Sequence, residues 1–143
     1  MSGPKKIYLF VHVIWMVRDR KKLLGKPIRR VLFANMQKRG EEKGIRIIAI
    51  NGAEDHVHGL LQLHPAQNLL QVVNVIKAES SQWLNENKLL QQEFEWGEEY
   101  AAYSVSPSAV IQVGDYIDKQ EEYHKTKSLE KELEVFQSLH LPD

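Results

Sequence analysis

Hydrophobic and polar positions alternate along the chain in blocks whose periods read as strands and helices. Residues 7–16 (IYLFVHVIWM) are β-branched and aromatic, which predicts a well-buried strand. Residues 27–43 place Pro27 in a first helical turn and repeat Ile28, Val31, Leu32, Asn35 and Met36 at helical spacing. Gly40 and Gly44 mark the helix end and a return. Two strands, 45–51 and 56–64, are joined by the short turn Gly52-Ala53-Glu54-Asp55. A second helix over about 67–88 carries Leu69, Leu70, Val73, Ile76 and Trp83 on one stripe, and 100–105 (YAAYSV) predicts a fourth strand. Ser106-Pro107 suits an N-cap and first helical residue, opening a helix to about 124. A short charged helix from Ser128 to about Leu139 follows.

The order β-α-β-β-α-β predicts an α+β fold, a ferredoxin-like antiparallel sheet with two helices across one face and additional C-terminal helices. At 143 residues the chain reads as a single domain over 1–143, with a core of about 7–124 and a helical tail over 125–143. Zero cysteines exclude disulfide staples, zinc-thiolate sites and cysteine nucleophiles. No apolar run approaches the roughly 20 residues of a membrane span, and no secretory leader is seen, so no membrane partner and a cytoplasmic location are expected. The net charge of zero conceals a split. Residues 1–50 hold 13 Lys+Arg against 3 Asp+Glu, and the rest hold 6 against 16. A basic half of this kind suggests an acidic partner, nucleic acid first, or else charges paired between the halves.

The sharpest local feature is His56-Val57-His58. On a strand, residues i and i+2 share a face, so His56, His58, Leu60, Gln62 and His64 point one way and Val57, Gly59, Leu61 and Leu63 the other. The second set is expected under the helices. The first puts two imidazoles side by side on the open face, placed to share one divalent metal, though surface or packing histidines fit the same spacing. Further groups come from the helix after the fourth strand, where Tyr116 and Gln120 lie four apart on one face. A phenol with a pKa near 10 is a weak nucleophile unless its proton is helped off or its phosphoryl target is polarised. A half-buried packing tyrosine and an exposed glutamine are the alternatives.

The combination resembles the single-tyrosine transposases among the HUH endonucleases, the branch of small insertion-sequence and REP-associated transposases. The resemblance rests on Asn51-Gly52-Ala53-Glu54-Asp55-His56-Val57-His58-Gly59-Leu60-Leu61 and on Tyr116-Ile117-Asp118-Lys119-Gln120-Glu121-Glu122. Val13-Ile14-Trp15-Met16-Val17-Arg18, Lys77-Ala78-Glu79-Ser80-Ser81-Gln82-Trp83-Leu84 and Tyr100-Ala101-Ala102-Tyr103-Ser104-Val105-Ser106 add to it, over about residues 7–138. It implies that His56, His58 and Gln120 hold a divalent ion, Mg²⁺ or Mn²⁺, and that Tyr116 is the nucleophile. The implied reaction cuts single-stranded DNA, leaves a 5′-phosphotyrosine and a free 3′-OH, and rejoins strands by reversal. It further implies a hairpin-bearing DNA partner, a homodimer in which the tyrosine helix can serve the histidines of its own or the other subunit, and a nucleoid-associated protein when bound to DNA. Arg18, Arg20, Lys21, Lys22, Arg29 and Arg30 offer phosphate-neutralising surface near the first strand.

Two positions depart from the family pattern. Glu99 stands where a glycine precedes the fourth strand, and Tyr123 where relatives often carry a histidine before His124. Tyr123, seven residues past Tyr116, is a second candidate nucleophile, and the spacing to Gln120 favours Tyr116. The face of Tyr8, Phe10, His12 and Ile14 is too apolar for water and predicts either a dimer interface or cover by the C-terminal helices. Three other readings compete. One is a domesticated, non-cutting binder of DNA hairpins. Another is a zinc-dependent hydrolase with His12 or His64 as third ligand. The last is an RRM-like RNA binder, disfavoured because histidines hold the positions of its stacking aromatics.

Overall fold

The computed structural model describes residues 6–125 and 128–140, with side chains for all of these except Tyr123 and residues 135–140. Strand β1 (Leu9–Val17), helix α1 (Lys26–Glu42), strands β2 (Arg46–Gly52) and β3 (His56–Leu63), helix α2 (Leu69–Glu86) and strand β4 (Trp96–Val105) follow in chain order. Helices α3 (Val110–Asp118), α4 (Gln120–Tyr123) and α5 (Leu129–His140) complete the described chain. The sheet runs β2-β3-β1-β4 with every neighbouring pair antiparallel. This is the ferredoxin-like order, as the sequence predicts.

The side-chain alternation holds. Val13, Trp15 and Val17 from β1 join Val57 and Leu61 from β3 in the main core beneath α1 and α2. Burial of Trp15 and the four aliphatic strand residues is worth on the order of 2 kcal/mol each, about 10 together. Gly59 sits under the Trp15 ring, where a Cβ would lie 3.1 Å from an indole carbon.

The opposite sheet face is not open. Helix α3 lies across β2 and β3 there and builds a second apolar cluster from Ile117, Leu60, Ala49 and Val105, with Phe10 and Tyr116 packed against it. His12 and Ile14 are therefore buried within their own chain, while Tyr8 stays 58% exposed. Of the two covers expected for this face, the chain's own C-terminal helices supply one. Asn51 fixes α3 end-on by donating from Nδ2 to the Asp118 carbonyl at 3.0 Å.

Several element details differ from the sequence reading. Val31 and Leu70 are 46% and 55% exposed, because the buried stripes run through Arg29, Leu32 and Met36 in α1 and through Val72, Val73, Ile76, Ser80 and Leu84 in α2. Gly40 lies inside α1, its absent Cβ making room for Ile47, and Gly44 at φ +73° makes the return. Strand β4 begins at Trp96, which pairs with Val17 across a bulge. Ser106 makes no capping bond to the backbone; its hydroxyl meets that of Ser108. The helix expected to run to 124 breaks at Lys119, whose N–H bonds back to Asp115 and Tyr116.

The β2–β3 turn, which presents both histidines, depends on Gly52. A Cβ there would sit 2.3 Å from the His56 carbonyl oxygen, a backbone atom that cannot step aside. Gly52→Ala is expected to cost about 2–3 kcal/mol, lowering the melting temperature by roughly 5–10 °C in a calorimetric scan.

Candidate metal centre and nucleophile

β3 aims His56 and His58 into the space between the sheet and the C-terminal helices, where they are 1% and 0% exposed. Register carries His12 of β1 to their side, since His12 pairs with Leu60 and Ile14 with His58. His12 Nε2 lies 2.8 Å from His58 Nδ1. Behind His56, Nδ1 meets Asp55 Oδ1 at 2.7 Å, and Arg20 grips Asp55 Oδ2 through Nε and Nη2 at 3.1 and 3.0 Å. A ring held by a carboxylate on Nδ1 keeps its Nε2 lone pair directed inward, the usual support of a metal-binding histidine.

Two residues that the sequence reading did not assign complete the cluster. Glu132 of α5 is fully buried, and His124, just past α4, closes the side. Glu132 Oε1 is 2.9 Å from His58 Nε2, 3.0 Å from His124 Nε2 and 3.7 Å from His56 Nε2. His56 Nε2 and His124 Nε2 are 3.0 Å apart. One donor atom from each of these four residues falls within 4.8 Å of every other. Gln120, fully buried, sets its amide oxygen 3.0 Å from His124 Nε2 and donates from Nε2 to Glu132 Oε2 at 2.8 Å. The Tyr116 hydroxyl donates to that same Glu132 oxygen. Although the helix break separates them, Tyr116 and Gln120 thus converge on one carboxylate.

Electrostatics follow the contacts. Burial opposes ionisation of Glu132, but hydrogen bonds from His124, His56 and His58 outweigh it and hold the carboxyl far below the usual carboxylate range. Burial likewise resists charge on Asp55, yet His56 and Arg20 bring it down to about 2. For His56, burial disfavours the cation and the Asp55 and Glu132 carboxylates overcome it, raising the pKa. His58, sealed more deeply, is pushed down to about 4 by burial and is neutral at physiological pH. Three imidazoles and a carboxylate with donors within 4.8 Å of one another, and the Gln120 amide oxygen beside His124, could hold a divalent ion. Asp55→Asn would keep the shape while weakening the grip on His56 Nδ1, so Mn²⁺ affinity is expected to fall roughly 10–100-fold in a calorimetric titration.

The basic residues divide. Arg20, Lys22 and Arg29 line a pocket of about 630 Å³ beside His124, together with Lys26 and Lys125. Arg20 and Arg29 are already engaged, Arg20 by Asp55 and Glu130 and Arg29 by Glu121 and the Leu24 carbonyl. Arg18 lies apart, 2.5 Å from Glu95. Lys21 and Arg30 are exposed and do not line the pocket. His64 accepts from the Ala66 amide at the far end of β3, and His12 stands behind His58, so neither occupies the position of a third ligand. The side chain of Tyr123 lies outside those described.

His124 and Glu132 each carried a sequence signal. His124 is four residues beyond Gln120, on the spacing that linked Gln120 to Tyr116, and Glu132 interrupts an apolar helical stripe of Leu129, Leu133 and Phe136.

The model of the family described as Transposase IS200 like matches residues 5–120, and the chain belongs to that family. No curated protein sequence gives a significant match. Among solved structures, a protein of Deinococcus radiodurans R1 assigned as a transposase shares 23% identity, with a TM-score of 0.65 over 84% of this chain and 97% of that one. A REP-associated tyrosine transposase bound to a REP hairpin shares 16%, with a TM-score of 0.62 over 87% of this chain and 74% of that one. At these identities both likenesses establish the fold. Among the described residues, no helix is long and apolar enough to cross a membrane.

Proposed function

We propose that the chain is a DNA strand transferase whose nucleophile is Tyr116. The observation that carries this reading is the meeting of the Tyr116 hydroxyl and both histidines of the His56-Val57-His58 strand at one buried carboxylate, within a single chain. In the proposed step the phenolic oxygen bonds to a phosphorus of single-stranded DNA and the bond to the 3′ oxygen breaks. The phenolic proton departs, and a proton reaches the leaving 3′ oxygen. The product is a 5′-phosphotyrosine, and attack by another 3′-OH reverses the step and joins strands without an external energy source.

His56, His58 and Gln120 would hold a divalent ion, Mg²⁺ or Mn²⁺, which supplies polarisation of the scissile phosphate and orientation when bound. Asp55 and His12 fix the two strand imidazoles, and burial keeps His58 uncharged. Lys22 and Lys125, on a pocket where Arg20, Lys26 and Arg29 pair with neighbouring carboxylates, offer phosphate contacts next to the site. A hairpin-bearing single strand is the partner proposed, in line with the hairpin bound by the REP-associated neighbour. The homodimer implied by the family resemblance is part of the proposal, each protomer using its own tyrosine and histidines.

The test is a denaturing gel of the protein mixed with labelled, hairpin-bearing single-stranded DNA and Mg²⁺ or Mn²⁺. A covalent protein–DNA band is expected. Hairpin binding with no such band under either ion would replace this reading with the non-cutting binder.

A further inference from the structure

The C-terminal segment holds two of the groups nearest the strand histidines, and both lie past residue 120, where the family match ends. We propose that His124 and Glu132 are themselves ligands of the divalent metal, so that the ion clasps α5 to the sheet. This rests on the functional reading above and deepens it.

The spacing is that of a ligand shell. Two donors each about 2.1 Å from one ion at a right angle lie about 3 Å apart. His58 Nε2 to Glu132 Oε1 is 2.9 Å, His124 Nε2 to Glu132 Oε1 3.0 Å, and His56 Nε2 to His124 Nε2 3.0 Å. Two aza nitrogens facing each other at that distance share at most one ring proton, and a cation between them satisfies both lone pairs. The supporting contacts already suit ligation. Asp55 accepts a hydrogen bond from His56 Nδ1, and His12 Nε2 is placed to accept from His58 Nδ1, which leaves both Nε2 atoms to face the cluster. Glu132 supplies the only carboxylate among the four clustered donors, the oxygen ligand that Mg²⁺ and Mn²⁺ prefer.

Glu132 also ties the ion to the nucleophile. Its Oε1 faces the imidazoles while its Oε2 receives Tyr116 and Gln120. Among the described side chains of α5 besides Glu132, Leu129 is 2% exposed, Leu133 is half-buried, and Glu130 pairs with Arg20 at 2.6 Å. An exposed pair contributes little. Loading the metal would tie α5 to the sheet through Glu132.

The experiment uses the full chain with Mn²⁺ alone, reading affinity by calorimetry and α5 protection by amide hydrogen exchange. Wild type is expected to bind one Mn²⁺ and to slow exchange in α5 at least tenfold. Glu132→Gln and His124→Gln, changed on separate elements so that one misfolded variant does not decide the outcome, are each expected to weaken Mn²⁺ at least tenfold and to lose the added protection. Circular dichroism of the metal-free variants reports their folding. Wild-type affinity in both variants, with binding lost in His56→Ala, overturns the assignment of His124 and Glu132 and leaves the strand-histidine site standing. Wild-type affinity in His56→Ala as well overturns the metal site of the functional reading itself.

Discussion

Tyr116→Phe is expected to abolish the covalent protein–DNA band, a loss of ~10³-fold or more, while leaving Mn²⁺ affinity within about threefold. The substitution removes one oxygen. Phe fills the same half-buried place against Ile117 and Leu60, so the second apolar cluster keeps its packing. Glu132 loses the donor on Oε2 from Tyr116 and keeps the one from Gln120. One missing hydrogen bond of this kind costs roughly 1 kcal/mol, too little to unfold the chain. Lost chemistry with intact metal binding thus separates a nucleophile from a packing tyrosine. Persistence of the band in this variant would move the role to Tyr123, and the double variant would then be the one that silences it.

The fold was readable because its signals were local and repeated. Alternation along β1 and β3 placed Val13, Trp15, Val57 and Leu61 on one face and His12, His56 and His58 on the other, as found. The helix registers were less readable, since Val31 and Leu70 are apolar yet lie at the edge of their stripes, where neighbours and not hydropathy decide burial. For the site, i and i+2 spacing brought the two strand histidines together, and i and i+4 spacing linked Tyr116 with Gln120. The break at Lys119, next to the Asp118 carbonyl that Asn51 holds, left no Gly or Pro signal in the sequence. Glu132 was the least legible residue. It sits 74 positions from His58, and apart from its place in the apolar stripe nothing local separates it from the exposed Glu130 and Glu134 until α5 docks. The charge split gained a partial structural meaning as well. Arg20 with Asp55 and Glu130, and Arg29 with Glu121, join the basic half to the acidic one, while Lys22 and Lys125 border the pocket beside His124.

His58→Ala is expected to remove both the metal and the strand chemistry, at a measurable cost in stability. The side chain is fully buried between His12 Nε2 and Glu132 Oε1, so deletion leaves a cavity and removes a partner from each. Together these cost about 3–4 kcal/mol, a fall in melting temperature of roughly 10 °C. In wild type, Mn²⁺ at 100 times its dissociation constant adds about 2.7 kcal/mol, and that increment should vanish in the variant. Hairpin binding is expected to stay within severalfold, because Lys22 and Lys125 on the neighbouring pocket lie outside the substitution. The pH dependence gives an independent check on the metal-free protein. His58 is held at about 4 when folded, against roughly 6.5 for a free imidazole. Between those values the unfolded chain binds the proton that folded His58 refuses, so this residue's share of stability is complete above pH 6.5 and is lost as pH falls towards 4. His56, whose pKa is raised, works in the opposite direction. Thermal melts from pH 7.5 to 4.5 should accordingly decline more steeply for wild type than for His58→Ala, and parallel curves would show that His58 carries its proton in the folded protein.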